Sequence, residues 1–410
     1  MPIYIQDCGF HSALGSSITD IHACLKDERE PNMVEVSDML NDGKHTVVGK
    51  IAGELPEVPS TLVKYATRNN QLALSALHQI KDSIELTKAQ FGADRIAVVI
   101  GTSTSGISDG EAAFKQKLTN GEFPEDYHYS KQELGDTSEF VSQYCALTGP
   151  NYVISTACSS SGRVFLTAQR LLDSGMADAV LVGGVDTLCK LTLNGFHGLE
   201  ALSTKHCKPF SESRDGINIG EAAAFMLLSK TKIKRIHSTQ NTPQIALLGC
   251  GDSSDAHHIS APHPEGNGAE EAMRKALDSA QLQAEEIGYI NAHGTATPLN
   301  DSMESKAIHR IFANKVPVSS TKPLTGHTLG AASAIEAAIA WHILKYDLPL
   351  PLQKCQDKAE DIEIDLVNCT QKLKATLSMC SPPAGSFLNM LPSALRKLKR
   401  CLIRLGPVSR

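Results

Sequence analysis

The eleven cysteines of this sequence include no Cys-x-x-Cys pair and follow no regular spacing. That absence excludes a disulfide framework and fits reduced thiols in a cytosol. No uninterrupted apolar run approaches the length needed to cross a bilayer. The opening residues Met1-Pro2-Ile3-Tyr4-Ile5 read as a strand, without the basic region and apolar core of a secretory signal. Positive charge is not in excess: the net charge is -6, which argues against bulk nucleic-acid binding while leaving room for a local basic patch. Gly183-Gly184 follows an apolar strand, yet the G-x-G-x-x-G dinucleotide fingerprint is missing. These absences point to a cytoplasmic protein with no stable membrane insertion.

What is present is a chain of 410 residues, 41% hydrophobic and 20% charged. That suffices for two ordinary domains or one large α/β unit with two lobes. Strand-like runs at 95–101, 151–156, 179–184, 244–249, 288–292 and 316–320 alternate with helical spacing at 71–90 and 269–281. The continuous apolar run at 222–229 reads as a buried strand. Such alternation predicts parallel strands with crossover helices on both faces. The grammar also repeats: 151–172 and 316–344 each read strand, Ser-Thr, reactive turn, helix, and 95–106 echoes 288–297. A duplicated αβ unit is expected, with its seam in the polar stretch 230–243.

Three turns carry chemistry. Cys158 follows a strand and precedes Ser-Ser-Ser-Gly and a helix. Backbone N–H groups and the helix dipole at such a turn stabilise a thiolate, and the same N–H groups hold an oxyanion. The competing reading is a buried structural cysteine. His293 and His327 close two further strands amid Gly and Thr, where ligands gather in α/β sheets. His257, His258 and His263 lie near Asp255 with a spacing that fits no standard zinc pattern, so no metal is expected.

The segments TACSSSG, NAHGTATPLND and KPLTGHTLGAA, in this order, resemble the β-ketoacyl-acyl carrier protein synthases, in particular the elongating group with a Cys-His-His site. The resemblance spans roughly residues 1–370 and is supported by KPFSESRDGINIGEAAA and by Asp255. It implies an α/β protein with a duplicated thiolase fold: α-β-α-β-α layers, with two mixed five-stranded sheets around a central helix layer. One half, 1–240, would carry the nucleophile, and the other, 241–370, the histidines. Cys158 would accept an acyl chain and condense it with a decarboxylating malonyl unit. His293 and His327 would stabilise the enolate-like thioester oxygen. Lys322, with Glu336 as ionic partner, would organise the site, and Asp255, Asp301 and Glu304 would support it. Thr295 and Thr297 would meet the phosphopantetheine arm, which arrives on the acyl carrier protein, so no resident cofactor is implied. Carrier proteins are acidic, and Lys64, Arg68 and Lys205 are the docking candidates. A homodimer or a heterodimer with a related subunit is implied. The RNNQLALSAL stretch resembles synthases of aryl polyene clusters as well as those of fatty-acid synthesis.

A degradative thiolase would carry a second cysteine where His327 stands, and an initiating synthase an asparagine. A silent chain-length partner would lack the nucleophile, which is retained here. The departure lies in residues 371–410, which hold eight Lys or Arg and no Asp or Glu. The family's closing strand and Gly-Phe-Gly-Gly loop have no recognisable counterpart there, and 384–387 is a poor substitute. An altered reading frame, a replacement such as a basic helix over 394–405, or a degenerate non-catalytic partner would each account for this. The abruptness of the change favours the first.

Overall fold

The computed structural model describes residues 2–233, 244–255, 257–258, 261–373, 376–379, 389–390 and 394–397, the last three stretches by their backbone. Most of the proposed seam at 230–243 and the fragment 384–387 lie outside the described residues.

Eleven strands form one hydrogen-bonded run. In chain order they are β1 (Ile3–His11), β2 (Ile96–Gly101), β3 (Asn151–Ile154), β4 (Ala179–Asp186), β5 (Ala222–Ser229), β6 (Ile245–Gly249), β7 (Ile287–Asn291), β8 (Pro317–Ser319), β9 (Asp365–Leu366), β10 (Thr376–Met379) and β11 (Ala394–Lys397). Their spatial order is β9-β8-β7-β10-β11-β6-β1-β5-β4-β2-β3. Within β3-β2-β4-β5-β1 the successive pairings are parallel, parallel, antiparallel and antiparallel. Within β8-β7-β10-β11-β6 the same series recurs. The duplication is therefore in the hydrogen-bond pattern itself, and the echoed segments fall on equivalent strands, β3 with β8 and β2 with β7.

The two sheets expected from the sequence are joined edge to edge. Strand β1 pairs with β5 over most of its length, while Ile3–Ile5 also pair with 245–247 of β6. A register shift between Ile5 and Asp7 bends β1 at the junction. The tail also differs from expectation. Residues 376–379 and 394–397 are strands, and the second falls where one of the three alternatives placed the start of a basic helix. They occupy the places equivalent to β4 and β5 in the other half. A sheet lacking them would leave the facing edges of β7 and β6 with unpaired backbone groups in the interior.

Helices α1 (Arg68–Gln79) and α2 (Asp136–Tyr144) cover the outer face of the first half, and α4 (Asn267–Ala280) and α5 (Pro298–Phe312) that of the second. Between the sheets lie α3 (Ser160–Asp173) and α6 (Ala332–Tyr346), which touch each other. Every residue from Ala332 to Leu344 is buried. A helix apolar on all sides belongs to an interior layer, and α6 sits at the centre of the largest core cluster. The sheets hold the nucleophile helix closely: a Cβ on Gly101 would lie 2.4 Å from the backbone nitrogen of Ser161. Gly101→Val should therefore destabilise the fold by about 1–3 kcal/mol, read as a lowered urea midpoint at unchanged slope; an unchanged midpoint would show that the helix can retreat freely.

Candidate active site

The turn between β3 and α3 is built by its serines. Ala157 takes the left-handed conformation at φ 55°, unfavourable for a residue with a Cβ. Ser160 Oγ accepts from the Thr156 N–H at 2.8 Å and donates to the Ala157 carbonyl at 2.6 Å. Ser159 Oγ donates to the Thr156 carbonyl at 2.6 Å. The bonds hold the strained corner that delivers Cys158 to the start of α3. The thiol is 3% exposed, and burial pushes it up to about 12, against the opposing pull of Lys322 and the residue's own N–H. The sequence suggested a stabilised thiolate; in this dry site desolvation wins, and the resting group is a thiol.

His327 comes from the other half. Its N–H donates to the Asn218 carbonyl at 2.6 Å, and its carbonyl accepts from the Gly220 N–H at 3.0 Å. Nδ1 accepts from the Leu329 N–H at 3.1 Å. The imidazole proton must therefore reside on Nε2, which stands 2.9 Å from Cys158 Sγ and donates to it. His293 completes the group, its ring centroid 5.0 Å from that of His327 and nearly perpendicular to it. Burial first and the charge of Lys322 second hold both imidazoles well below their ordinary pKa, so both are neutral.

The donor atoms of Cys158, His293 and His327 lie within 4.8 Å of one another. A metal-ligating histidine donates its second ring N–H outward, whereas here Leu329 occupies Nδ1 as a donor. For His327 this outer contact suits hydrogen-bond donation into the site.

Lys322 and Glu336 form a buried ion pair, each side chain 3% exposed. The loop of His293 hangs on Glu304, whose two oxygens accept from the N–H groups of His293 and Gly294 at 2.7 and 2.8 Å. Asp301 accepts from the Phe210 and Ala296 N–H groups. Thr295 and Thr297 hydroxyls lie 2.9 Å apart, the second half-buried. Asp255 is half-buried and accepts from the His263 N–H at 2.8 Å, holding the loop where the rings of His257 and His263 meet at 4.7 Å. His258 is exposed. Lys64 and Lys205 are also exposed, but Arg68 is engaged through two nitrogens by buried Glu221.

Sequence reasoning missed three residues. Ser320 Oγ donates to the Gly294 carbonyl at 2.8 Å and accepts from the Lys322 N–H, so it ties the two histidine loops together. Gln353 accepts from the Ser320 N–H and donates to the Pro209 carbonyl. Asp186, wholly buried, ends β4. A lone acid closing an apolar strand was the available signal for it; nothing in the pattern marked the other two.

Residues 38–233 match the family described as "Beta-ketoacyl synthase, N-terminal domain", and 245–355 the corresponding C-terminal domain. The chain is 33% identical over 323 residues to 3-oxoacyl-(acyl-carrier-protein) synthase 2 of Staphylococcus aureus, covering 76% of this chain and 78% of that one. It is 30% identical over 389 residues to nodulation protein E of Rhizobium meliloti, covering 92% and 94%. Among solved structures, the ketosynthase ApeO in complex with its chain length factor ApeC from Xenorhabdus doucetiae superposes with a TM-score of 0.89 at 44% identity, over 97% of this chain and 98% of that chain.

Burial lifts Glu304 from 4.5 to about 8 and Asp301 to about 6. Across that window the folded chain keeps protons that the unfolded chain has released, so these groups make stability fall as pH rises. Glu304→Gln should flatten that fall between pH 4.5 and about 8 in urea titrations; a slope as steep as that of the parent would show that Glu304 ionises normally.

Proposed function

This chain belongs to the beta-ketoacyl synthase family of the thiolase superfamily, acyltransferases of the thiolase fold, and we propose that it condenses an acyl group held on Cys158 with a malonyl unit brought by an acyl carrier protein. The observation that carries this reading is the His327 tautomer: a neutral imidazole aiming Nε2–H at the nucleophile from 2.9 Å. A thiolate is both a good nucleophile and a good leaving group, so one sulfur can take the acyl chain from its thioester and later release it. His327 stabilises the sulfur's developing negative charge while the thiol proton passes to the departing pantetheine thiolate, which leaves as a thiol. With the chain seated as a thioester, His293 and His327 are placed to donate to the malonyl thioester oxygen as carbon dioxide departs and negative charge develops there. The carbanion attacks the acyl carbonyl, Cys158 leaves, and the product is longer by two carbons. Burial keeps both imidazoles unprotonated, and the buried Lys322–Glu336 pair adds a fixed positive end near them.

The phosphopantetheine arm of the carrier supplies the thioester, so no resident cofactor or metal enters the scheme. Lys64, Arg68 and Lys205 are the docking candidates, the two lysines exposed and Arg68 partly so while it holds Glu221. Homodimeric or heterodimeric pairing uses the edge of β3, with Tyr152 38% exposed, and the helix Ile107–Asn120, which exposes Phe114 and Leu118. Similarity to a ketosynthase solved with its chain length factor supports a related subunit as the partner. Retention of all three reactive residues supports a catalytic role over a silent one. No helix among the described residues is long and apolar enough to cross a membrane; we place the reaction in the cytoplasm.

Incubation with an acyl carrier thioester should add the acyl mass to the peptide bearing Cys158, and Cys158→Ala should abolish the addition. His327→Ala should slow acylation by about 10²-fold or more, the scale of losing one oxyanion-type donor. Folded parent protein that gains no acyl mass would overturn the reading.

A further inference from the structure

Asp186 closes β4 in the first half with its carboxylate wholly buried. One oxygen accepts from Thr102 Oγ1 at 2.8 Å, the Ser103 N–H at 2.7 Å, and the N–H and Oγ1 of Thr104, each at 2.8 Å. The other accepts from the Ala331 N–H at 2.9 Å. Ala331 belongs to the second half, four residues beyond His327. The carboxylate thus gathers the turn after β2 and the end of the His327 loop onto a single group.

The packing leaves no slack around it. A Cβ on Gly330 would lie 2.6 Å from Ser103 Oγ and 2.9 Å from Asp186 Oδ2, and one on Gly184 would lie 2.8 Å from the Ala331 Cα. A second tie runs parallel to the first: the Ala334 N–H donates to Ser161 Oγ on the nucleophile helix at 3.0 Å. Burial raises Asp186 only to about 6, because the bonds from Ser103, Thr104 and Thr102 oppose the desolvation.

We propose that Asp186 is a positioning residue for the reaction, a clasp between the halves that sets the separation of Cys158 and His327. The proposal deepens the acyl-acceptor reading of Cys158 and rests on it. Only a carboxylate serves in this place. An asparagine has one acceptor oxygen, and its amide would turn N–H toward N–H at either Ala331 or the 102–104 turn. The clasp also acts against its own charge. Among the charged groups facing Cys158, Lys322 pulls the thiol down, whereas Asp186 and Glu336 push it up; His327 and His293 are neutral. If Asp186 acted through charge alone, removing it would make the thiol more reactive. If it acts through position, removing it takes away the His327 donor and makes the thiol less reactive.

That difference in sign is the test. Full-length protein is alkylated with iodoacetamide over a range of pH, and modification is followed on the Cys158 peptide by mass spectrometry. Asp186→Asn should slow alkylation about tenfold and move its midpoint to higher pH, the scale of one hydrogen bond to a charged group. Gly330→Ala, which opens the clasp while keeping the carboxylate, should do the same. Thr104→Val, which deletes one donor, should slow alkylation by a smaller factor, about two- to fivefold. A variant is scored only if it retains a cooperative melt, and the two that keep Asp186 carry the test if Asp186→Asn does not fold. Faster alkylation of Asp186→Asn, or parent-like rates in Gly330→Ala and Thr104→Val, would overturn the proposal. Alkylation needs no acyl donor, so failure of the clasp and failure of condensation are separately visible.

Discussion

A hydrogen bond from His327 to Cys158 joins residues 169 positions apart, and much of the molecule serves to keep that bond dry, neutral and short. Its donor exists only because Leu329 fixes the tautomer. Its neutrality comes from burial and from Lys322, a cation that is itself tolerable there only because Glu336 accompanies it. Its length depends on two separately folded halves meeting at one place. Each half offers a strand end, and the interior helices α3 and α6 carry those ends toward each other.

The buried carboxylates divide the remaining work. Glu304 and Asp301 brace the His293 loop from the flank of α5, and Asp186 braces the His327 loop from the opposite half. All three are raised by burial, so each is costly to keep ionised. Backbone N–H groups satisfy them in place of cations.

Cys158, His293 and His327 were legible because strand-end turns are local patterns, and so was the duplication, which repeats in the order of residues. Lys322 with Glu336 was legible only through the family resemblance, which implied both and their pairing. Asp186, Ser320 and Gln353 were not, because each gains meaning only from partners brought together by the fold. The ion pair of Arg68 was hidden for that reason too: its acid, Glu221, is 153 residues away. The thiolate expected at the helix start was a sound local inference overruled by burial, which no local pattern records. Composition alone hid the tail strands, since a basic stretch without acids does not announce a place in the middle of a sheet.

That placement constrains the order of assembly. Strands β10 and β11 follow the other nine strands of this run in sequence, yet they lie between β7 and β6. During synthesis the first half can close on itself while the second still has a gap two strands wide. Non-local pairings of this kind form slowly and leave open edges exposed meanwhile. His327 reaches Cys158 from that unfinished half, so the nucleophile is in place before the sheet that steadies its partner. The catalytic pocket is thus steadied by segments that emerge after every residue assigned to its chemistry, although none of those residues resides in them.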